Sequence, residues 1–330
     1  MNRVLVTGGA GYIGSHTSAQ LVDSCDHLVV LDNLYSGHRW AVPEQAEHIE
    51  GDIRDRDALV SHLSRHRIDT VIHFAGHIEV NESVTNPAKY YDNNVVGSLR
   101  LLEACRMADV SQFVFSSSAA VYGIPESRVV DETTVPLPIN PYGRTKLITE
   151  WTLHDMAAAS DGQFRYVALR YFNVAGASDS GLLGQATPAA THLIKVACQA
   201  ACGLRDKLTI FGDDYPTEDG TCIRDYIHVE DLARAHVDAL AYLNNGGTNL
   251  IANCGYGNGY SVKQVIDTFR DTIDAPIDVV MGDRRAGDPP QLVASNSLIR
   301  ERLGWMPTRD NLAAICRSAY DWEVALQNMN

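Results

Sequence analysis

Arg3-Val4-Leu5-Val6-Thr7-Gly8-Gly9-Ala10-Gly11-Tyr12-Ile13-Gly14 is the stretch on which the fold class turns. Its first five residues are an apolar, β-branched run, the pattern of a buried strand. The glycines at 8, 11 and 14 then lead into a helix-like segment from Ser15 to Val22. In this G-x-x-G-x-x-G spacing the glycines serve a tight turn, a close backbone approach to a pyrophosphate, and close helix–strand packing. The helix start adds free N–H groups and the positive end of its dipole. A second strand, His27 to Leu31, ends at Asp32, eighteen residues after Gly14. An acid at that strand end hydrogen-bonds a ribose 2′-hydroxyl and repels a 2′-phosphate, so NAD is expected in preference to NADP. Tyr12, Ile13 and Asn33 belong to the same expected cofactor surface.

Outward from this unit the strand–helix alternation continues. A third strand ends at Gly51-Asp52-Ile53, with Asp52 placed to reach the adenine and Ile53 beside it. A fourth, Thr70 to Phe74, runs into Ala75-Gly76, small enough for a cofactor to lie on the backbone. Helices are expected over 92–108, which carries Asn93 at its start, and over 145–159. A fifth strand, Gln112 to Phe115, delivers Ser116, Ser117 and Ser118 at its carboxyl end, where open α/β sheets bind ligands. A sixth, Arg165 to Phe172, contains Tyr171 and leads to Asn173. Residues 177–188 form a Gly-, Ser- and Ala-rich loop, well placed as a substrate lid. Helices follow at 189–203 and from Glu230 to Leu243, with Asp231 serving the helix start. A strand at 249–253 is expected to return to the main sheet. The fold class is therefore α/β: a doubly wound parallel (Rossmann) sheet with a smaller, discontinuous C-terminal substrate domain. The expected division is an NAD-binding domain over 1–176, completed by a segment near 225–255, and a substrate domain mainly over 177–330.

Tyr142 and Lys146 are four residues apart, so one helix face presents both. A free phenol titrates at about 10. An adjacent ammonium favours the phenolate and brings its pKa towards the working range. Ser118 is then placed to hold the hydroxyl whose proton the tyrosine removes. Such a trio suits making or unmaking a carbonyl.

The chain has 330 residues with 27 basic and 41 acidic side chains, a formal charge of −14. That field disfavours nucleic acid and anionic membranes as partners, and local arginines are needed to meet an anionic substrate. No run of eighteen apolar residues exists, and a strand begins near the first residue, so neither a membrane span nor a signal peptide is expected. Seven cysteines without C-x-x-C pairs are expected to be reduced thiols of a cytoplasmic protein. The twelve histidines form no H-E-x-x-H spacing. His62 and His66 read as surface residues, and no metal is expected.

Three further stretches are specific. They are Leu169-Arg170-Tyr171-Phe172-Asn173, then Phe211 to Thr221 followed by Arg224-Asp225-Tyr226-Ile227-His228-Val229, and Arg284-Arg285-Ala286-Gly287-Asp288. With the glycine turn and Tyr-x-x-x-Lys, they make the chain resemble the extended short-chain dehydrogenase/reductases, and among them the UDP-glucose 4-epimerase family of galactose metabolism, over nearly its whole length. The resemblance implies Tyr142 as catalytic base and acid, Ser118 as its partner, and Lys146 as tuner and nicotinamide-ribose ligand. It further implies Phe172, Asn173, His192, Leu193, Thr209, Phe211, Arg224, Arg285 and Asp288 as UDP-sugar contacts. Leu292 stands where residue size sets the room beside carbon 2 of the sugar. A homodimer through the helices at 92–108 and 145–159 is implied as well. Two positions depart from the family: Ile78 replaces a lysine after Phe74-Ala75-Gly76, and His192 replaces an asparagine beside the uridine. UDP-N-acetylhexosamine or UDP-uronate epimerisation, and nucleotide-sugar dehydration, are the neighbouring chemistries. Dehydration needs an acid/base pair after the active-site serine, and here Ala119 and Ala120 follow Ser118. A non-catalytic NAD-binding protein would be expected to have lost Ser118, Tyr142 or Lys146.

Overall fold

In the computed structural model, which describes residues 2–187, 190–285 and 287–329, each apolar β-branched run becomes a strand and each intervening amphipathic segment a helix. The first half comprises β1 Arg3–Thr7, α1 Tyr12–Leu21, β2 His27–Asp32, β3 Glu47–Glu50, α2 Arg56–His66 and β4 Thr70–His73. It continues with α3 Val80–Thr85, α4 Pro87–Tyr90, a π-helical turn Tyr91–Gly97, α5 Ser98–Met107, β5 Gln112–Ser116, β6 Val129–Val130, α6 Pro141–Ala158 and β7 Arg165–Tyr171. Then come β8 Asn173–Ala175, α7 Leu193–Ala201, β9 Leu208–Phe211, β10 Ile223–His228, α8 Val229–Asn244 and β11 Leu250–Cys254. The chain closes with β12 Gly259–Ser261, α9 Val262–Ile273, β13 Val279–Gly282, β14 Gln291–Ala294, α10 Ser297–Leu303 and α11 Leu312–Met329.

Seven strands form one sheet in the order β11-β7-β5-β4-β1-β2-β3, and every pairing in it is parallel. Its central strands carry buried apolar runs, Val4-Leu5-Val6, Val71-Ile72 and Phe113-Val114-Phe115, because both faces are covered. Val4, Val6, Leu28, Val30 and Ile72 face α1 and α8 in one core cluster. Leu5, Val29, Leu31, Val71 and Phe113 face α2, α5 and α6 in the other. From β1 the chain proceeds outward to β3 and then crosses back to β4. That reversal opens a crevice at the carboxyl ends of β1 and β4, the place where such sheets take ligands.

Of the segment near 225–255, only β11 joins the main sheet, beside β7. β10 instead builds a second sheet, pairing antiparallel with β12 and parallel with β14 and β8. β9 and β13 form a separate parallel pair. Several boundaries differ from the sequence reading. Helix 92–108 opens with the π-helical turn, and α6 begins at Pro141, with Asn140 capping it by accepting from the Gly143 N–H at 2.8 Å. Ala189, where the sequence reading began the next helix, and Pro188 at the end of the lid loop lie outside the described residues; α7 starts at Leu193. His66 is buried at the end of α2 and is not a surface residue. Asp231 sits in the first turn of α8, where its carboxylate accepts from Tyr256 Oη at 2.6 Å and from the Arg309 N–H at 2.9 Å, tying this turn to the C-terminal segment.

Candidate active site

A cleft of about 1060 Å³ opens at the carboxyl ends of the central strands. The β1–α1 turn forms one wall. Gly8 has φ +71°, and a Cβ there would lie 2.5 Å from the Ala75 nitrogen; a Cβ on Gly14 would lie 2.2 Å from the Gly8 oxygen. Neither position admits a side chain. Gly11 is the N-cap residue of α1 and no side chain caps the helix, while Tyr12, Ile13 and Gly14 line the cleft. Asp32 is buried, and its carboxylate oxygens accept from the Ala10 N–H at 3.0 Å and the Leu34 N–H at 2.8 Å. Each oxygen keeps capacity for a further donor. Asn33, Ile53, Phe74, Ala75, Gly76, Asn93 and Tyr171 complete this wall. A cradle without Cβ atoms, an uncapped helix start and a fixed acid fit a dinucleotide.

Asp52 is not on that wall. Its carboxylate is taken by Arg54 at 2.7 Å, and Arg54 also reaches Asp92 at 2.7 Å. This pairing holds the Asp52 pKa down at about 2. Gly51 and Ile53 face the cleft in its place.

Tyr142 lies in the first turn of α6, buried and on the cleft wall, with Ser118 opposite. Burial pushes the Tyr142 pKa well above the ordinary phenol value, with Tyr171 adding to the rise and the Ser118 hydroxyl opposing it. This departs from the expected lowering by Lys146. The Lys146 ammonium donates to the Ser116 carbonyl at 2.7 Å and lies 5.9 Å from the centre of the Tyr142 ring. It is itself buried, which brings its pKa down to about 8. Ser116 and Lys146 thus sit behind the wall, and Ser116 Oγ donates to Tyr171 Oη at 3.1 Å. Ser116 ties the lysine to Tyr171, a residue that does line the cleft.

The rest of the cleft lining includes Phe172, Asn173, His192, Leu193, Thr209, Phe211, Arg224, Arg285, Asp288 and Leu292. The Arg285 guanidinium lies 3.9 Å from the centre of the Phe211 ring, which keeps the fork in place. Arg224 pairs with Asp288 at 3.1 Å and donates to the Ile223 carbonyl at 2.8 Å. Arg284 points elsewhere, over the Tyr215 ring and onto Asp214. His192 is held by Gln185 at 3.1 Å, and burial pushes its pKa down, favouring a neutral ring. Ile78 lines the cleft and supplies no charge there.

The sequence reading missed several residues. Asn94, inside the π-helical turn, accepts from the His77 N–H at 2.8 Å and donates to the His77 carbonyl at 2.9 Å, fixing the turn after Gly76. Arg205 and Lys207 add two cations to the cleft wall. Beneath α6, Arg170 makes a bidentate pair with Glu150 at 3.0 and 2.6 Å, and Ser117 donates to the same carboxylate at 2.5 Å. An arginine inside an otherwise apolar strand was the available signal, since a charge is buried only when paired.

An open parallel sheet with a glycine-rich first turn, and a buried tyrosine facing a serine at its carboxyl edge, define a dinucleotide-dependent site of the short-chain dehydrogenase/reductase kind. The chain belongs to the NAD dependent epimerase/dehydratase family, whose model matches residues 4–255. It is 54% identical over 325 residues to a UDP-glucose 4-epimerase of Azospirillum brasilense, covering 98% of this chain and 93% of that one. Among solved structures it is similar to the UDP-glucose 4-epimerase of Brucella ovis in complex with NAD, with a TM-score of 0.93 and 48% identity over 97% of this chain and 98% of the other. The UDP-Glc/GlcNAc 4-epimerase of Campylobacter jejuni matches with a TM-score of 0.86 and 47% identity, over 98% and 100% of the two chains.

Proposed function

We propose that this protein is a UDP-glucose 4-epimerase, an isomerase that inverts carbon 4 of a UDP-hexose with Tyr142 as base and acid. The observation that carries this reading is the placement of Tyr142 and Ser118 between a dinucleotide cradle and a cation-lined pocket in one cleft. NAD, when bound by Gly8, Gly11, Gly14, Asp32 and their neighbours, supplies a hydride acceptor and donor. Ser118 holds the sugar 4-hydroxyl, and Tyr142 takes its proton and later returns it to the same oxygen, carbon 4 having turned its other face to the cofactor in between. Between the two events the hexose has to turn about its diphosphate link. Arg224 and Arg285 suit that motion, because guanidinium forks grip the diphosphate and leave the sugar free. Lys146 keeps a positive charge behind the cleft wall, 5.9 Å from the centre of the Tyr142 ring. Ala119 and Ala120 line the cleft next to Ser118, where dehydration would need an acid and a base.

The test is incubation of the pure protein with UDP-galactose and no added NAD. UDP-glucose should form, and the denatured protein should release about one NAD per chain, because the redox cycle closes on itself. No product, or NADP in place of NAD, would overturn the reading.

Substrate width rests on Leu292, which lines the cleft and packs against the cluster of Ala119, Phe172 and Ala294. Leucine gives an acetamide no hydrogen bond, and a desolvated amide costs on the order of 1–3 kcal/mol. UDP-N-acetylglucosamine should be turned over more slowly than UDP-glucose, by roughly one to two orders of magnitude, and Leu292→Tyr should remove that slow activity alone. Equal specificity constants for both sugars in the wild type would take this role from Leu292.

The same reading makes the protein a cytoplasmic homodimer. Seven free thiols support a reducing compartment, and no described helix is long and apolar enough to cross a membrane. Val96, Leu99 and Met107 along the 91–107 helix and Trp151 on α6 are exposed, and they support a two-helix interface. Trp151→Glu is expected to reduce the mass measured by light scattering to that of one chain. An unchanged mass would exclude this face.

A further inference from the structure

We propose that His27, Glu47 and His66 form a binding site for a divalent transition metal of the zinc class, at the end of the sheet opposite the catalytic cleft. His27 opens β2, Glu47 opens β3 and His66 closes α2. β2 and β3 pair in parallel with Val29 against Glu47, so His27, two residues earlier, shares a strand face with Val29. The end of α2 then brings His66 over this corner.

The donor atoms converge. His27 Nε2 lies 3.4 Å from His66 Nδ1, and Glu47 Oε2 lies 3.5 Å from His66 Nδ1 and 3.9 Å from His27 Nε2. Three nitrogen and oxygen ligands on one tetrahedral zinc stand about 3.3 Å apart, given bonds of roughly 2.0–2.2 Å. Two edges of the triangle match that spacing, and a small rotation of the Glu47 side chain closes the third. The two imidazole rings are near parallel, 21° apart, with facing nitrogens. At 3.4 Å those nitrogens are long for a direct hydrogen bond.

The ligand set also selects the ion. Two imidazoles and one carboxylate suit zinc, cobalt or nickel, whereas calcium and magnesium take oxygen shells. The His27 and Glu47 side chains are 28% and 43% exposed, so the fourth position reaches water. His66 is the anchored member: it is buried, and Arg3 Nε donates to its carbonyl oxygen. Its Nε2 is buried without a hydrogen-bond partner among the described residues. The second hydrogen bond that usually orients a liganding imidazole is therefore missing, and affinity should be micromolar and not nanomolar. The amino ends of the strands are remote from the cleft at their carboxyl ends. The ion would tie β2, β3 and α2 together without touching the reaction.

Tag-free protein stripped with chelator provides the test, titrated with Zn²⁺ by calorimetry and with Co²⁺ by visible absorption. One Zn²⁺ per chain should bind. Co²⁺ should give ligand-field bands without a thiolate charge-transfer band, and turnover should be the same with and without metal. His27→Asn and Glu47→Gln, at partly exposed side chains that leave the core intact, should each weaken Zn²⁺ by at least ~10-fold. Cys25→Ser should change nothing, because the Cys25 thiol donates to the Leu21 carbonyl at 3.2 Å and is not one of the converging atoms. No saturable Zn²⁺ binding, unchanged affinity in both His27→Asn and Glu47→Gln, or loss of binding in Cys25→Ser would overturn the proposal.

Discussion

Tyr142→Phe should lower turnover by at least ~10²-fold and leave UDP affinity little changed. The substitution removes one hydroxyl and keeps the ring, so the cleft wall formed by Tyr142, Tyr171 and Phe172 keeps its shape. What is lost is the group proposed to accept the 4-hydroxyl proton. Burial raises the pKa of this phenol, and Ser118 is the neighbour that opposes the rise. Ser118→Ala should therefore lower turnover too. Because the two hydroxyls act on one proton, the double variant should lose less than the product of the single losses. Steady-state rates of UDP-galactose conversion and UDP titration by calorimetry measure both quantities. A near-normal rate for Tyr142→Phe would remove this residue from the chemistry. Strict multiplicativity would separate Ser118 from it.

What the sequence showed of this molecule is what local pattern encodes. The glycine spacing at 8, 11 and 14, the strand ending at Asp32 and the small pair Ala75-Gly76 each report backbone constraints within a few residues, and the structure places all of them on the cleft wall. Patterns of period 3.6 cannot show an inserted residue, so the π-helical turn at 91–97 and the role of Asn94 were invisible. Asp52 sat at the right strand end but had a competing partner two residues away in Arg54, which no spacing rule weighs. Tyr142 and Lys146 do share a helix face. Even so, the distance from the ammonium to the Tyr142 ring and its capture by the Ser116 carbonyl depend on β5, thirty residues earlier. His27, Glu47 and His66 come from three elements, so only the fold brings them together. Long-range polar pairing is the part that sequence periodicity leaves out.

Glu150 and Arg170 show how much rests on such pairing. Both side chains are almost wholly buried. Besides Glu150 and Ser117, the network includes Tyr122: Arg170 Nη1 donates to Tyr122 Oη at 3.0 Å, and Tyr122 donates to Asn253 at 2.7 Å. It thereby joins α6, the end of β5, β7 and β11. Glu150 stands one helical turn after Lys146, and Ser117 lies between Ser116 and Ser118, so the pair also fixes the strand end that leads to Ser118. Removing one partner leaves an uncompensated charge out of water. Glu150→Leu should cost about 3–5 kcal/mol of stability, with Arg170→Met costing a similar amount. Replacing both at once, as Glu150→Leu with Arg170→Met, removes the two desolvation penalties together and should recover most of that loss. Turnover should stay depressed in the double variant, because an apolar pair no longer orients Ser117 and the strand end. Chemical unfolding of the four proteins, with UDP-galactose rates measured alongside, gives the coupling directly. If the double variant were as unstable as the sum of the singles, the pair would be independent and the network would not be holding the site.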